Sequence, residues 1–107
     1  MKSLGLVEVQ SVASAVDCLD LMCKAADVRF VTWERKLGGR LVTIIVEGQI
    51  SAVKAAVEAT EKAIIKPASK AVIASPHSET ERMVQLSASR LVKGDKAEES
   101  EQYLQEV

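Results

Sequence analysis

The spacing of apolar positions changes several times along this chain, and each change marks an element. Residues 4–9, LGLVEV, form a short β-rich run that stops at Gln10-Ser11. Val12, Ala15, Val16, Leu19, Met22, Cys23 and Ala26 then recur at three- and four-residue intervals, which predicts an amphipathic helix. Ser11 is placed to cap it by accepting a hydrogen bond from an otherwise orphan N–H. Asp17, Asp20 and Lys24 lie off the stripe, and Asp20 with Lys24 makes a favourable i,i+4 pair.

Residues 29–35, RFVTWER, are β-branched and aromatic and predict a strand. Lys36, Leu37, Gly38, Gly39 and Arg40 follow as a turn, since paired glycines accept the positive φ of tight hairpins. Residues 41–46, LVTIIV, are nearly continuous in apolar side chains. Such a strand is covered on both faces, or by helices on one and a neighbour on the other. After 47–49 (EGQ) a second helix starts near Ile50 or Ser51. Its expected inner face is Ile50, Val53, Val57, Thr60 and Ile64, flanked by alanines 52, 55, 56, 59 and 63, and Lys66-Pro67 ends it. Residues 71–74, AVIA, read as a fourth strand, closed by Ser75-Pro76-His77.

The predicted class is α+β with the ferredoxin-like order β-α-β-β-α-β, two helices on one face of an antiparallel sheet, in a domain of residues 1–77. Residues 78–107 form a C-terminal extension. Met83, Leu86, Ala88 and Leu91 give its first half a weak helical stripe; a Glu-rich tail, expected to be flexible, follows from Lys93.

Composition narrows the function. Hydrophobic residues are 48% of the 107 positions but aromatics only 3%, so the core is built from Val, Ile, Leu and Ala. Small side chains let helices lie close to a sheet and offer few stacking surfaces for bases or sugars. The net charge of -1 gives no basic field for nucleic acid. The acids gather in the tail, which carries about -3 by residue count and leaves about +2 elsewhere. The N-terminus is too short and polar for a signal peptide, and no apolar run approaches membrane-spanning length, so the chain is expected to be soluble and intracellular. Cys18 and Cys23 sit about 140° apart on one helix and cannot pair there. They read as reduced, packed thiols, with no metal-ligand spacing around them.

Candidate chemistry is sparse. His77 stands between Ser75 and Ser78, but neither an orienting acid nor a Gly-x-Ser-x-Gly elbow accompanies it, so a surface or edge histidine is the better reading than a nucleophilic centre. Asp17 with Asp20, and Glu58 with Glu61, are solvated helix carboxylates. Trp33 fills sheet packing rather than forming a ligand platform. On its own, KLGGR is an exposed hairpin with incidental charges.

The order of segments adds a resemblance. Residues 3–9 (SLGLVEV) resemble the "LGxIE" opening of bacterial microcompartment shell proteins of the hexamer-forming, single-domain type. Residues 15–26 (AVDCLDLMCKAA) resemble their "AIEAADAMVKAA" helix, and Trp33-Glu34-Arg35 resembles "YEK". Residues 41–48 (LVTIIVEG) are similar to "LVTVIVRG", 51–56 (SAVKAA) to "GAVKAA", and 72–77 (VIASPH) to "VIPRPH". The match runs in register from Ser3 to His77.

This resemblance implies a non-enzymatic structural subunit without a cofactor, located in a microcompartment shell in the cytoplasm. Its partners would be five further copies of itself in a homohexamer, other shell proteins, encapsulated enzymes, and small metabolites crossing a central pore; neither nucleic acid nor membrane is expected. Lys36, Leu37, Gly38, Gly39 and Arg40 would form the pore loop, with repeated positive charges selecting the sign of the permeant species. The absence of Cys from that loop argues against an iron–sulfur site shared across the axis. Lys24, Ser75, Pro76 and His77 would lie at the tile edge. Three departures, a loop one residue longer than "KIGSG", Gln49 for the Asp that opens the second helix, and Ser75 for the corner Arg, point to a minor or specialised tile. The alternative is a ferredoxin-like regulatory oligomer that senses a small molecule, with KLGGR binding an anion at a subunit interface.

Overall fold

A computed structural model describes residues 2–35 and 41–93. Four strands, β1 (Ser3–Val9), β2 (Arg29–Arg35), β3 (Val42–Gly48) and β4 (Ser69–Ile73), form one antiparallel sheet in the order β2-β3-β1-β4. The helices α1 (Val12–Ala25) and α2 (Ile50–Ala59) alternate with them as β-α-β-β-α-β. That is the ferredoxin-like α+β arrangement expected from the spacing. A third helix, α3 (Ser78–Val92), follows β4.

Register explains which side chains meet. Gly5, Val7 and Val9 of β1 stand opposite Val46, Ile44 and Val42 of β3, and this row faces α1 and α2. Val53, Ala56, Val57, Ala15, Cys18 and Met22 complete that core from the helices. On β2 a bulge at Val31 inserts one residue between the pairs Phe30–Val46 and Thr32–Ile45. The extra residue reverses the alternation, so Phe30 and Trp33 both pack on the helix core while Val31 and Thr32 face the other way.

That second face is covered too. Leu4, Val31 and Ile45 are buried against Val84 of α3, with Leu6, Ile73 and Ala88 around them. A polar network fastens the same helix. Ser87 Oγ donates to Glu34 Oε2 at 2.8 Å and lies 2.9 Å from Thr32 Oγ1, and Arg90 reaches the same carboxylate at 3.6 Å. The nearly continuous apolar run of β3 is accounted for by this two-sided burial.

Four expectations need correction. The second helix ends at Ala59, not Lys66, and passes into a 3₁₀ turn over Thr60–Lys62. The buried Thr60 hydroxyl donates to the Val57 carbonyl at 2.6 Å, and such back-bonding competes with the helical ladder. Periodicity is therefore lost before Ile64, which is 92% exposed, and Ala63 takes the inward place. On α1 the buried stripe is Ser14, Ala15, Cys18 and Met22, so Val16 and Cys23 point to solvent; only Cys18 is a packed thiol. On α3 the inward face is Val84, Ser87 and Ala88, leaving Met83 and Leu86 exposed. A hydroxyl at the centre of that face hid it from an apolar count.

Candidate functional site

The strand register separates the sheet into two ends. At one, Ser3 stands opposite Gly48, Arg29 opposite Glu47, and Leu4 opposite Ile73. At the other, Val9 and Arg35 both pair with Val42, and Glu8 pairs with Ser69. Seven-residue strands set these ends roughly 20 Å apart.

The first end carries Lys24 and the 75–77 corner. The α1 helix starts just past the end of β1 and runs back along the sheet, so its last turn, with Lys24, returns to where β1 begins. Lys24 is exposed and bonded to Asp20 Oδ2 at 2.7 Å. That hydrogen bond and the adjacent negative charge raise the Lys24 ammonium above its ordinary value. Beyond β4, Ser3 Oγ donates to the Ala74 carbonyl at 2.8 Å and pins the corner. Ser75 is exposed, Pro76 buried and His77 exposed.

His77 has a role that its sequence context did not signal. It is the N-cap of α3, with Nδ1 accepting the Glu79 backbone N–H at 3.0 Å. Among the described residues no hydrogen bond joins His77 to Ser75 or Ser78.

The second end carries the connection between β2 and β3. The expected pore-loop residues Lys36, Leu37, Gly38, Gly39 and Arg40 lie outside the described residues. Their flanks are well placed: Arg35 and Val42 are directly paired, so the connection leaves the sheet at the end remote from Lys24.

Two structural acids, the buried Glu47 and the partly exposed Glu34, were also missed. Glu47 is almost wholly buried and accepts from Arg29 Nε at 2.9 Å and from Arg29 Nη2, with Lys2 3.7 Å away. It lies directly across the strand pair from Arg29, so the ion pair locks the start of β2 to the end of β3. Glu34 holds α3, as described above. Neither has an alternating or periodic signal; the β2–β3 register reveals Glu47, and the packing of α3 reveals Glu34.

Other candidate groups have structural surroundings. Burial pushes the Cys18 thiol up, and the neighbouring Asp17 charge adds to the effect. Glu61 is bonded to Lys70 and lies near Lys66, which holds its carboxyl below the usual range. Among the described residues no three His, Cys, Asp or Glu side chains are grouped to hold a metal ion. No described helix is long and apolar enough to cross a membrane.

Comparison with known proteins accords with this geometry. The shell protein PduA of Citrobacter freundii is 37% identical over 86 residues, covering 78% of this chain and 91% of that one. The carboxysome shell protein CsoS1C of Hydrogenovibrio crunogenus is 38% identical over 91 residues, covering 81% and 88%. A crystal structure of a microcompartment protein from Desulfitobacterium hafniense superposes with a TM-score of 0.68 at 25% identity. The alignment takes in 81% of this chain but 48% of that one, so this chain spans about half the length of that structure. Residues 3–76 match the BMC domain, and the chain belongs to that family of bacterial microcompartment shell proteins.

Proposed function

We propose that this chain is a structural subunit of a bacterial microcompartment shell, working as a hexameric tile whose 36–40 loops surround a central passage for small metabolites. The observation that carries this reading is the separation of the two sheet ends within a BMC domain. The β2–β3 connection leaves one end, and Lys24 with the Ser75–His77 corner occupies the other. A ring that gathers the first end at its axis turns the second outward, where tiles meet edge to edge.

The role is architectural rather than catalytic. Lys36 and Arg40, repeated around the axis, would make the passage electropositive and favour anions. Gly38 and Gly39 would let backbones approach closely and would offer N–H groups to an anion. Ser75 replaces a long cationic side chain at the corner with a short neutral one, which suits a minor tile set among other shell proteins. The extension beyond residue 77 contributes α3 to the sheet's second face, whereas residues 94–107 are dispensable for ring formation.

Native mass spectrometry combined with electron microscopy tests the reading. Hexamers that enter sheets, tubes or mixed shells support it. Dimers or trimers at all concentrations, without extended assemblies, overturn it.

A further inference from the structure

The last two turns of α3 bring a serine and a cation to one carboxylate. Ser87 is 3% exposed, in a helix face otherwise made apolar by Val84 and Ala88. Its Oγ donates to Glu34 Oε2 at 2.8 Å and lies 2.9 Å from Thr32 Oγ1, while Arg90 Nη2 stands 3.6 Å from the same Oε2. Covering the sheet's second face needs only apolar contact, and a buried hydroxyl adds a desolvation cost that its partners must offset. The hydroxyl thus fixes where the Glu34 charge sits. Arg90, half-exposed, sets the opposite charge beside it.

Glu34 stands at the end of β2. It pairs with Thr43, one step before the final pair Arg35–Val42, and the chain reaches Lys36 two residues on. At ~3.3 Å per residue, Glu34 is about 7 Å from the start of the 36–40 connection. That is inside the Debye length of about 10 Å at ~0.1 M salt, so a charge held here acts on ions entering the proposed passage. A carboxylate alone would oppose Lys36 and Arg40; Arg90 offsets it. A second pair on α3 gives the contrast. Arg82 bonds to Glu79 at 3.0 Å in the first turns of the helix. At ~1.5 Å per residue it lies about 12 Å along the axis from Arg90, toward the Ser75–His77 corner.

We infer that Arg90 is a specificity-determining residue of the passage: paired with Glu34, it keeps that carboxylate from repelling anions at the entrance. The inference rests on the passage proposed above and extends ion selection to α3, which lies beyond the matched residues 3–76. A ring repeats the pair in every subunit, so the modest effect of one charge is multiplied around the axis.

Planar-bilayer conductance of the full chain in a salt gradient reads the anion-to-cation permeability ratio. Arg90 is half-exposed, so circular dichroism should show α3 intact in its variants. At ~0.01 M salt, where the Debye length is about 30 Å, Arg90→Gln should lower the ratio at least about twofold, and Glu34→Gln should raise it. Arg90→Lys should keep the ratio. Arg82→Gln, the same loss of charge at the other end of α3, should leave it unchanged. At ~1 M salt, with a Debye length of about 3 Å, all four variants should match the unmodified protein. Damage to α3 would move Arg90→Gln and Glu34→Gln the same way, so changes of one sign overturn the inference. Equal effects of Arg82→Gln and Arg90→Gln also overturn it, because overall charge is then the cause. Anion preference that ignores Arg90→Gln overturns the inference and leaves the passage standing. No conductance, or conductance without anion preference, overturns passage and inference together.

Discussion

Gly5 and Val53 meet so closely that no side chain fits between them: a Cβ at Gly5 would stand 2.9 Å from Val53 Cγ1, and equally close to Val57 Cγ2. Both valines have few alternative rotamers, so an added methyl must push α2 off the sheet. The Gly5→Ala variant is expected to lose ~1–3 kcal/mol, the usual penalty of overpacking. Urea unfolding checks this, and the double variant Gly5→Ala/Val53→Ala should lose less than the sum of the two single changes. Additive losses would show that the helix does not depend on this approach.

The cap at α3 makes a second expectation. Replacing His77 by Ala removes the acceptor for the Glu79 N–H and should cost about 0.5–2 kcal/mol. His77→Asp, an effective cap, should restore most of it. Thermal melts of both variants give the comparison. Equal losses in both would mean the imidazole contributes by contacts other than the cap.

Exposure and acidity together predict the behaviour of the thiols. Cys23 is exposed, whereas Cys18 is buried with its thiol held in the protonated form by burial first and the Asp17 charge second. Thiolate is the reactive species, so iodoacetamide should modify Cys23 at neutral pH while Cys18 reacts only on unfolding. Cys23 also adjoins Lys24. In sheets of tiles it should become protected, and peptide mass mapping before and after assembly reads that change directly. Undiminished labelling in sheets would place the tile boundary elsewhere.

The fold was legible where periodicity and register signals are strong. The Ser11 cap, the α1 helix, the pairing of β2 with β3 and the second helix start at Ile50 all follow from local chemistry. What failed has a common cause. Thr60 ends α2 through its own hydroxyl, Val31 bulges out of β2, and Ser87 sits buried in the inward face of α3. Each is a polar or inserted residue whose effect depends on one partner, and apolar counting does not register it. His77 was singled out as a candidate site residue, but its capping role depends on where α3 begins. The pore loop is the reverse case: its residues were named from resemblance, and they lie outside the described residues.

The proposed tile edge supports the last prediction, which concerns how readily hexamers grow into sheets. Lys24 projects from the final turn of α1, and its long stem can lie along a neighbouring tile while the ammonium reaches carbonyl oxygens. In the isolated chain it is held back against Asp20 at 2.7 Å, so reaching outward exchanges one charge-assisted bond for another and gains little. At the corner, Ser75 stands where the resemblance implies an arginine. Ser75 is exposed on a backbone kept in place by buried Pro76, the Ser3–Ala74 bond and the His77 cap, but it is too short to cross a boundary. An arginine there would offer a planar fork of donors. Each such contact is worth on the order of 1 kcal/mol, and ring symmetry repeats it along every edge. Ser75→Arg should therefore lower the protein concentration at which sheets appear by at least tenfold, and Lys24→Ala should raise it. Hexamers should persist in both, because both residues lie at the sheet end remote from the β2–β3 connection that the proposed ring gathers at its axis. Electron microscopy of sheets alongside native mass spectrometry of hexamers reads the two levels separately. Sheets that form readily from the unmodified protein and ignore both changes would show that the boundary between tiles runs through other residues.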